Sequence, residues 1–122
     1  MYEAKIINSS FELTAKERVM FKDVQNCTKI DIATQEAPLM IDVAGYVELL
    51  IHNDKATPTE YANYVIVGKS GERFVTGSAS FWSAFQNIWS EMAGVTEEWK
   101  LKVYRLPSKN RQGKEFITCA VE

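Results

Sequence analysis

Hydrophobic and polar positions alternate most clearly in the middle of the chain. In GYVELLIHND, Val47, Leu49 and Ile51 fall on one side and Tyr46, Glu48 and His52 on the other, the period-two pattern of a half-buried strand. DKATPTE interrupts the run with a proline and small polar residues, and YANYVIV resumes it. KSGE then reads as a tight turn with glycine at the permissive position, and RFVTG as a third strand. Residues 46–77 therefore predict an antiparallel meander.

The period changes in SASFWSAFQNIWSEMAG. Phe81, Phe85, Ile88 and Met92 recur at helical spacing, Trp82 and Trp89 flank the same stripe, Ser78 or Ser80 suits the N-cap, and Gly94 suits the stop. A continuous aromatic stripe among Ser, Gln, Asn and Glu is expected to pack on a sheet rather than to stack ligands. WKLKVYRL and EFITCAV return to period two, joined by PSKNRQGK. Leu101, Val103, Ile117, Cys119 and Val121 should point inward. Lys100, Lys102, Tyr104, Phe116 and Thr118 then share the opposite face, which is rich in aromatic and basic side chains for a surface that only meets water.

The first forty residues carry less pattern. TAKE at 14–17 has the form of a capping box and would start a short helix, whereas Phe11, Leu13, Val19 and Phe21 fit a hairpin turning at the same place. The hairpin is the expected form. A further strand is expected around Lys29–Ile32, with Pro38 limiting its extension.

The resulting order is strand, strand, strand, helix, strand, strand. That order defines the expected fold: mainly β with one main helix, an OB-fold-like five-stranded barrel carrying an N-terminal extension. The 122 residues, 46% apolar and 25% charged, suit a single domain, with an N-terminal hairpin or extension at 1–40 and an OB-like core at 41–122. No secretory leader and no apolar run long enough to span a membrane is evident, so a cytoplasmic location is expected.

Charge alters the picture. The chain sums to −2, yet Lys100, Lys102, Arg105, Lys109, Arg111 and Lys114 fall within fifteen residues that contain no carboxylate, leaving eight basic against sixteen acidic side chains elsewhere. In the OB-fold, the loop between the last two strands commonly binds oligonucleotides together with the face of strands two and three. Sequence-tolerant binding of single strands needs cations along the phosphates and rings against the bases. Lys100, Lys102, Arg105, Lys109, Asn110, Arg111 and Lys114 supply polar and cationic groups, and Tyr104 and Phe116 supply rings. Tyr61 and Tyr64 in the second meander strand are further stacking candidates, and alternation directs only one of them to a groove. Lys69 and Arg73, beside the preceding turn, would extend the cationic track.

Other chemistry is poorly provided for. GxSxG, HExxH, the P-loop and GxGxxG are absent, and GKSGE at 68–72 lacks the upstream glycine of a phosphate loop. Cys27 and Cys119 are widely separated and read as buried thiols, and the single histidine, His52, reads as a turn residue bonded locally. No catalytic role, metal or cofactor is expected.

IHND followed by a polar linker and YANYVIV, then TGSASFWSAF, then SKNRQGKEFITC, resembles small single-stranded DNA-binding proteins of bacteriophages and related mobile elements of Gram-positive bacteria. The resemblance spans about residues 45–120. It implies a non-catalytic OB-like protein that coats single strands during DNA replication or recombination, with single-stranded DNA as ligand and replication or recombination proteins as further partners. The chain ends TCAVE rather than in an acidic tail, which argues against recruitment by the tail route of cellular single-strand binders. A contrasting expectation comes from the acidic remainder: a small phage protein that binds and inhibits a host protein by mimicking nucleic acid.

Overall fold

The strands expected from alternation form, and they are distributed over two sheets. The computed structural model describes residues 2–110 and 112–122. In chain order the elements are β1 (Tyr2–Ser9), α1 (Ala15–Lys22), β2 (Thr28–Lys29), α2 (Ile30–Ala33), β3 (Leu39–Ile41), β4 (Val43–Asn53), β5 (Glu60–Gly68), β6 (Arg73–Thr76), α3 (Ala79–Met92), β7 (Leu101–Pro107) and β8 (Glu115–Val121). The protein is mainly β, and none of its described helices is long and apolar enough to cross a membrane. Two compact units divide the chain, Met1–Lys29 with Ala44–Gly77 and Ile30–Val43 with Ser78–Glu122.

The first unit holds a five-stranded sheet in the order β1-β4-β5-β6-β2. Val47, Leu49 and Ile51 of β4 enter a core with Val65, Val75, Phe21 and Cys27, as the alternation requires. β1 runs antiparallel to β4, with a register shift between Ile6 and Asn8. Phe11 packs edge-on against Phe21 at 6.0 Å and also lies across Gly45, where an added Cβ would come within 2.8 Å of its ring. Gly45 is therefore a steric requirement of this packing.

The expected N-terminal hairpin is replaced by a helix. Thr14 caps α1 by accepting from the Glu17 N–H at 3.2 Å, while its own N–H donates to Glu17 Oε1 at 2.9 Å. This reciprocal pair satisfies two backbone donors that a helix start otherwise leaves unmade. In a hairpin Val19 and Phe21 would share a face. On the helix they diverge, so that Phe21 is buried and Val19 is 74% exposed. The strand expected at Lys29–Ile32 is likewise confined to Thr28–Lys29, paired in parallel with Phe74 and Val75, before α2 begins at Ile30.

The second unit holds the antiparallel sheet β3-β7-β8 with α3 packed along β8. Ser78 caps α3 through the Phe81 N–H at 3.2 Å, and Gly94, at φ +81°, follows its end as the sequence indicates. Phe81 and Phe85 are fully buried and Trp82 nearly so, with Phe85 stacked between Phe81, Trp82 and Trp89 at 5.5–6.0 Å. Ser80 Oγ donates to the Ile117 carbonyl at 2.9 Å, fixing the start of the helix on β8.

The order strand, strand, strand, helix, strand, strand is present from β4 to β8, but the described strands form no closed barrel. β6 takes β5 and β2 as its neighbours, and β3 and β4, separated only by Asp42, pair in different sheets.

Candidate nucleic-acid interface

Register decides which side chains the β7–β8 hairpin presents together. Lys102 lies opposite Ala120, Tyr104 opposite Thr118 and Leu106 opposite Phe116, while Met40 of β3 lies opposite Lys102 on the other side. Directly opposed residues share a face, so Met40, Lys102, Tyr104, Leu106, Phe116 and Thr118 form one surface. Leu101, Val103, Ile117 and Cys119 occupy the other face and are buried on the side where α3 packs.

On the open surface Leu106 is 40% exposed and Phe116 36%. A hollow of about 630 Å³ at the hairpin tip is lined by Leu106, Pro107, Ser108, Lys109, Asn110 and Phe116. The tip is closed by the Ser108 N–H donating to the Lys114 carbonyl at 2.8 Å, and Gly113 takes a positive φ of 78° within the turn. Lys109, Asn110 and Lys114 are exposed around the hollow. At the opposite end Lys100 is exposed and exchanges two backbone hydrogen bonds with Glu122, of 3.1 and 2.8 Å, which extend the ladder by one pair. Lys102 Nζ stands 5.4 Å from the centroid of the Tyr104 ring, so part of that ring already carries a cation.

Arg105 behaves differently from its neighbours. One residue out of phase with Tyr104, it donates through Nε to Thr34 Oγ1 at 3.2 Å and through Nη2 to the Asp31 carbonyl. Thr34 is itself buried and donates to the Ile30 carbonyl at 2.8 Å, so the guanidinium completes its hydrogen bonding. Arg105 thus anchors α2 to β7 through two of its N–H groups. Arg111 lies outside the described residues.

The meander candidates belong to the first unit. Tyr61 packs against the core of the first unit, and Tyr64 is 8% exposed, with burial foremost and the nearby Glu48 carboxylate second in pushing its phenol pKa up. The buried Tyr64 ring is not presented for stacking. Arg73 donates through Nη1 to the Met20 carbonyl at the end of α1, and Lys69 is exposed in the turn where the Gly68 N–H meets the Glu72 carbonyl at 2.8 Å. The surface also includes two residues outside the set expected from sequence. Leu106 continues the alternation of Lys102 and Tyr104 by one step and was legible there. Met40 arrives through pairing between β3 and β7, which no local pattern signals.

The remaining reactive groups are occupied or buried. His52 Nε2 is 2.7 Å from Asp54 Oδ1, and Nδ1 is 3.6 Å from Glu60 Oε1. The Asp54 hydrogen bond is the main cause that raises the His52 pKa, in keeping with a local turn role. Cys27 and Cys119 are free and buried, and burial pushes the Cys119 thiol up to about 12. Among the described residues, no three His, Cys, Asp or Glu side chains gather as a metal site would require.

No protein-family model, curated protein sequence or solved structure matches the chain.

Proposed function

We propose that this protein binds single-stranded DNA without sequence preference through the open face of the β3-β7-β8 sheet, acting in the replication or recombination of phage or mobile-element DNA in the bacterial cytoplasm. The carrying observation is the exposed Leu106–Phe116 pair, with Tyr104 beside it, set among Lys102, Lys109 and Lys114 on a hairpin free of carboxylates from Lys100 to Lys114. Rings on such a face accept bases of any identity, and the lysines meet the phosphates as point charges. Single strands fit this arrangement better than a duplex, whose bases are already stacked on one another. The order of elements from β4 to β8 supports an OB-like reading of the fold, and the sequence resemblance supports DNA as the ligand, with replication or recombination proteins as further partners.

Fluorescence anisotropy of labelled oligo-dT at low and moderate salt, with duplex DNA as control, tests the reading. Salt-sensitive binding that prefers the single strand is the expected result. Absence of binding at low salt would overturn it. The second reading, inhibition of a host protein, would then draw on the apolar exposure of Met40, Leu106 and Phe116 on one face.

A further inference from the structure

A second concavity lies in the first unit, on residues that the hairpin surface does not use. It has a volume of about 780 Å³ and is lined by β1, the segment that follows it, and α1. Lys5 contributes from β1, and Arg18 and Lys22 from α1, where their i, i+4 spacing places them on one face. Ile6, Phe11 and Leu13 provide apolar walls, and Glu12 is the one carboxylate among the described residues that line the space. We infer that this groove binds a phosphorylated, ring-bearing ligand, either a free nucleotide or a segment of a nucleic-acid strand.

Three observations point to that chemistry. Charge is the first. Outside residues 100–114 acidic side chains outnumber basic ones sixteen to eight, yet three of those eight cationic residues line this space. All three are exposed, and none takes part in an ion pair among the described residues. Like charges at i, i+4 disfavour a helix, and an anion between them reverses that penalty.

The second is construction. Ser9 Oγ donates to the Phe11 carbonyl at 2.7 Å, and Ser10 Oγ accepts from the Tyr46 N–H at 2.8 Å, which fixes the segment carrying the apolar wall. Phe11 is held between Phe21 and the bare backbone of Gly45, so the wall is formed before any ligand arrives. The third is the pairing of the two surfaces. Arginine and lysine on one rim suit phosphate, and Ile6, Phe11 and Leu13 suit the flat ring of a base or a sugar. A purely inorganic anion would use only the rim.

The test is an amide-shift titration of the full chain by NMR at low salt, with oligo-dT, dTTP, inorganic phosphate and poly-glutamate as separate probes. Saturating shifts along residues 5–22 are expected with oligo-dT or dTTP, and the stronger of the two identifies the source of the phosphate. Inorganic phosphate should bind more weakly by at least about tenfold, because it leaves the apolar wall unused. The K5Q/R18Q/K22Q variant alters only exposed side chains and should lose at least about tenfold in affinity here. K22Q alone, the milder change, should show a smaller loss in the same direction.

Silence of residues 5–22 with both nucleotide probes would overturn the inference. So would equal shifts with poly-glutamate, which indicate an acidic protein partner, or unchanged affinity in the neutralised variants. Shifts at 102–116 report separately on the hairpin, so that either surface can fail while the other stands.

Discussion

The β7–β8 hairpin and the β4-β5-β6 meander look alike as strings of residues and differ in what covers them. Both combine tyrosines or phenylalanine on alternating strands with lysine and arginine at a turn. In the hairpin, one face is buried on the α3 side and the other leaves Leu106 and Phe116 open. In the meander, β5 buries Val65 in the core of its unit, packs Tyr61 against that core and also buries Tyr64 and Ile66. Binding surfaces of this kind depend on a strand having one uncovered face. The aromatic residue alone carries no such information.

The largest expected effect separates the two regions by stability. Tyr64→Ala should cost about 3 kcal/mol, in the range for truncating a buried aromatic, whereas Phe116→Ala, at a position 36% exposed and paired with Leu106, should cost about 1 kcal/mol. Urea denaturation of both variants measures this. Equal losses would mean that Phe116 is a core residue and would remove the contrast.

The reverse ordering is expected for ligand. Combining Tyr104→Ala with Phe116→Ala should weaken oligo-dT binding by about 1–3 kcal/mol for each base that loses its ring. Tyr64→Ala should bind normally wherever it remains folded. Anisotropy below the denaturation midpoint distinguishes these outcomes, and a binding defect confined to Tyr64→Ala would transfer the site to the meander.

Cations sharpen the comparison within the hairpin itself. Lys109→Ala with Lys114→Ala should flatten the dependence of log affinity on log salt by about 0.7 for each phosphate that is no longer neutralised. Arg105→Ala should leave that slope unchanged and lower stability by about 1 kcal/mol, because its guanidinium is committed to Thr34 and Asp31. A flattened slope in Arg105→Ala would return this residue to the interface.

The smallest effect belongs to the meander turn. Because the Asp54 hydrogen bond raises the His52 pKa above its ordinary 6.5, protonated His52 favours the folded chain. That contribution is complete below pH 6.5 and is lost as pH rises through the raised folded value. Asp54→Asn should bring the His52 titration, followed by NMR, back toward the ordinary value. An unchanged titration would assign the shift to Glu60, whose carboxylate is 3.6 Å from Nδ1.

Much of this architecture follows from short-range pattern. Alternation in 46–52 and 101–106, the stripe from Phe81 to Phe85, the Ser78 cap and the glycine stop at 94 each depend on neighbours within a few residues, and each has its counterpart in the folded chain. The N-terminus departs from its expected hairpin because TAKE satisfies two local rules at once. The helix prevails where Phe21 can be buried while Val19 faces water.

The sequence by itself determined the run of strands, the main helix and the concentration of cations between Lys100 and Lys114, since periodicity and charge are written residue by residue. Tertiary structure decided the rest. Only pairing across the chain brings Met40 beside Lys102, ties Arg105 to Thr34, buries Tyr64 and sets Lys5 near Arg18 and Lys22. These relations join residues far apart in sequence, and their outcome rests on which face a neighbouring element covers, a quantity that no local pattern encodes.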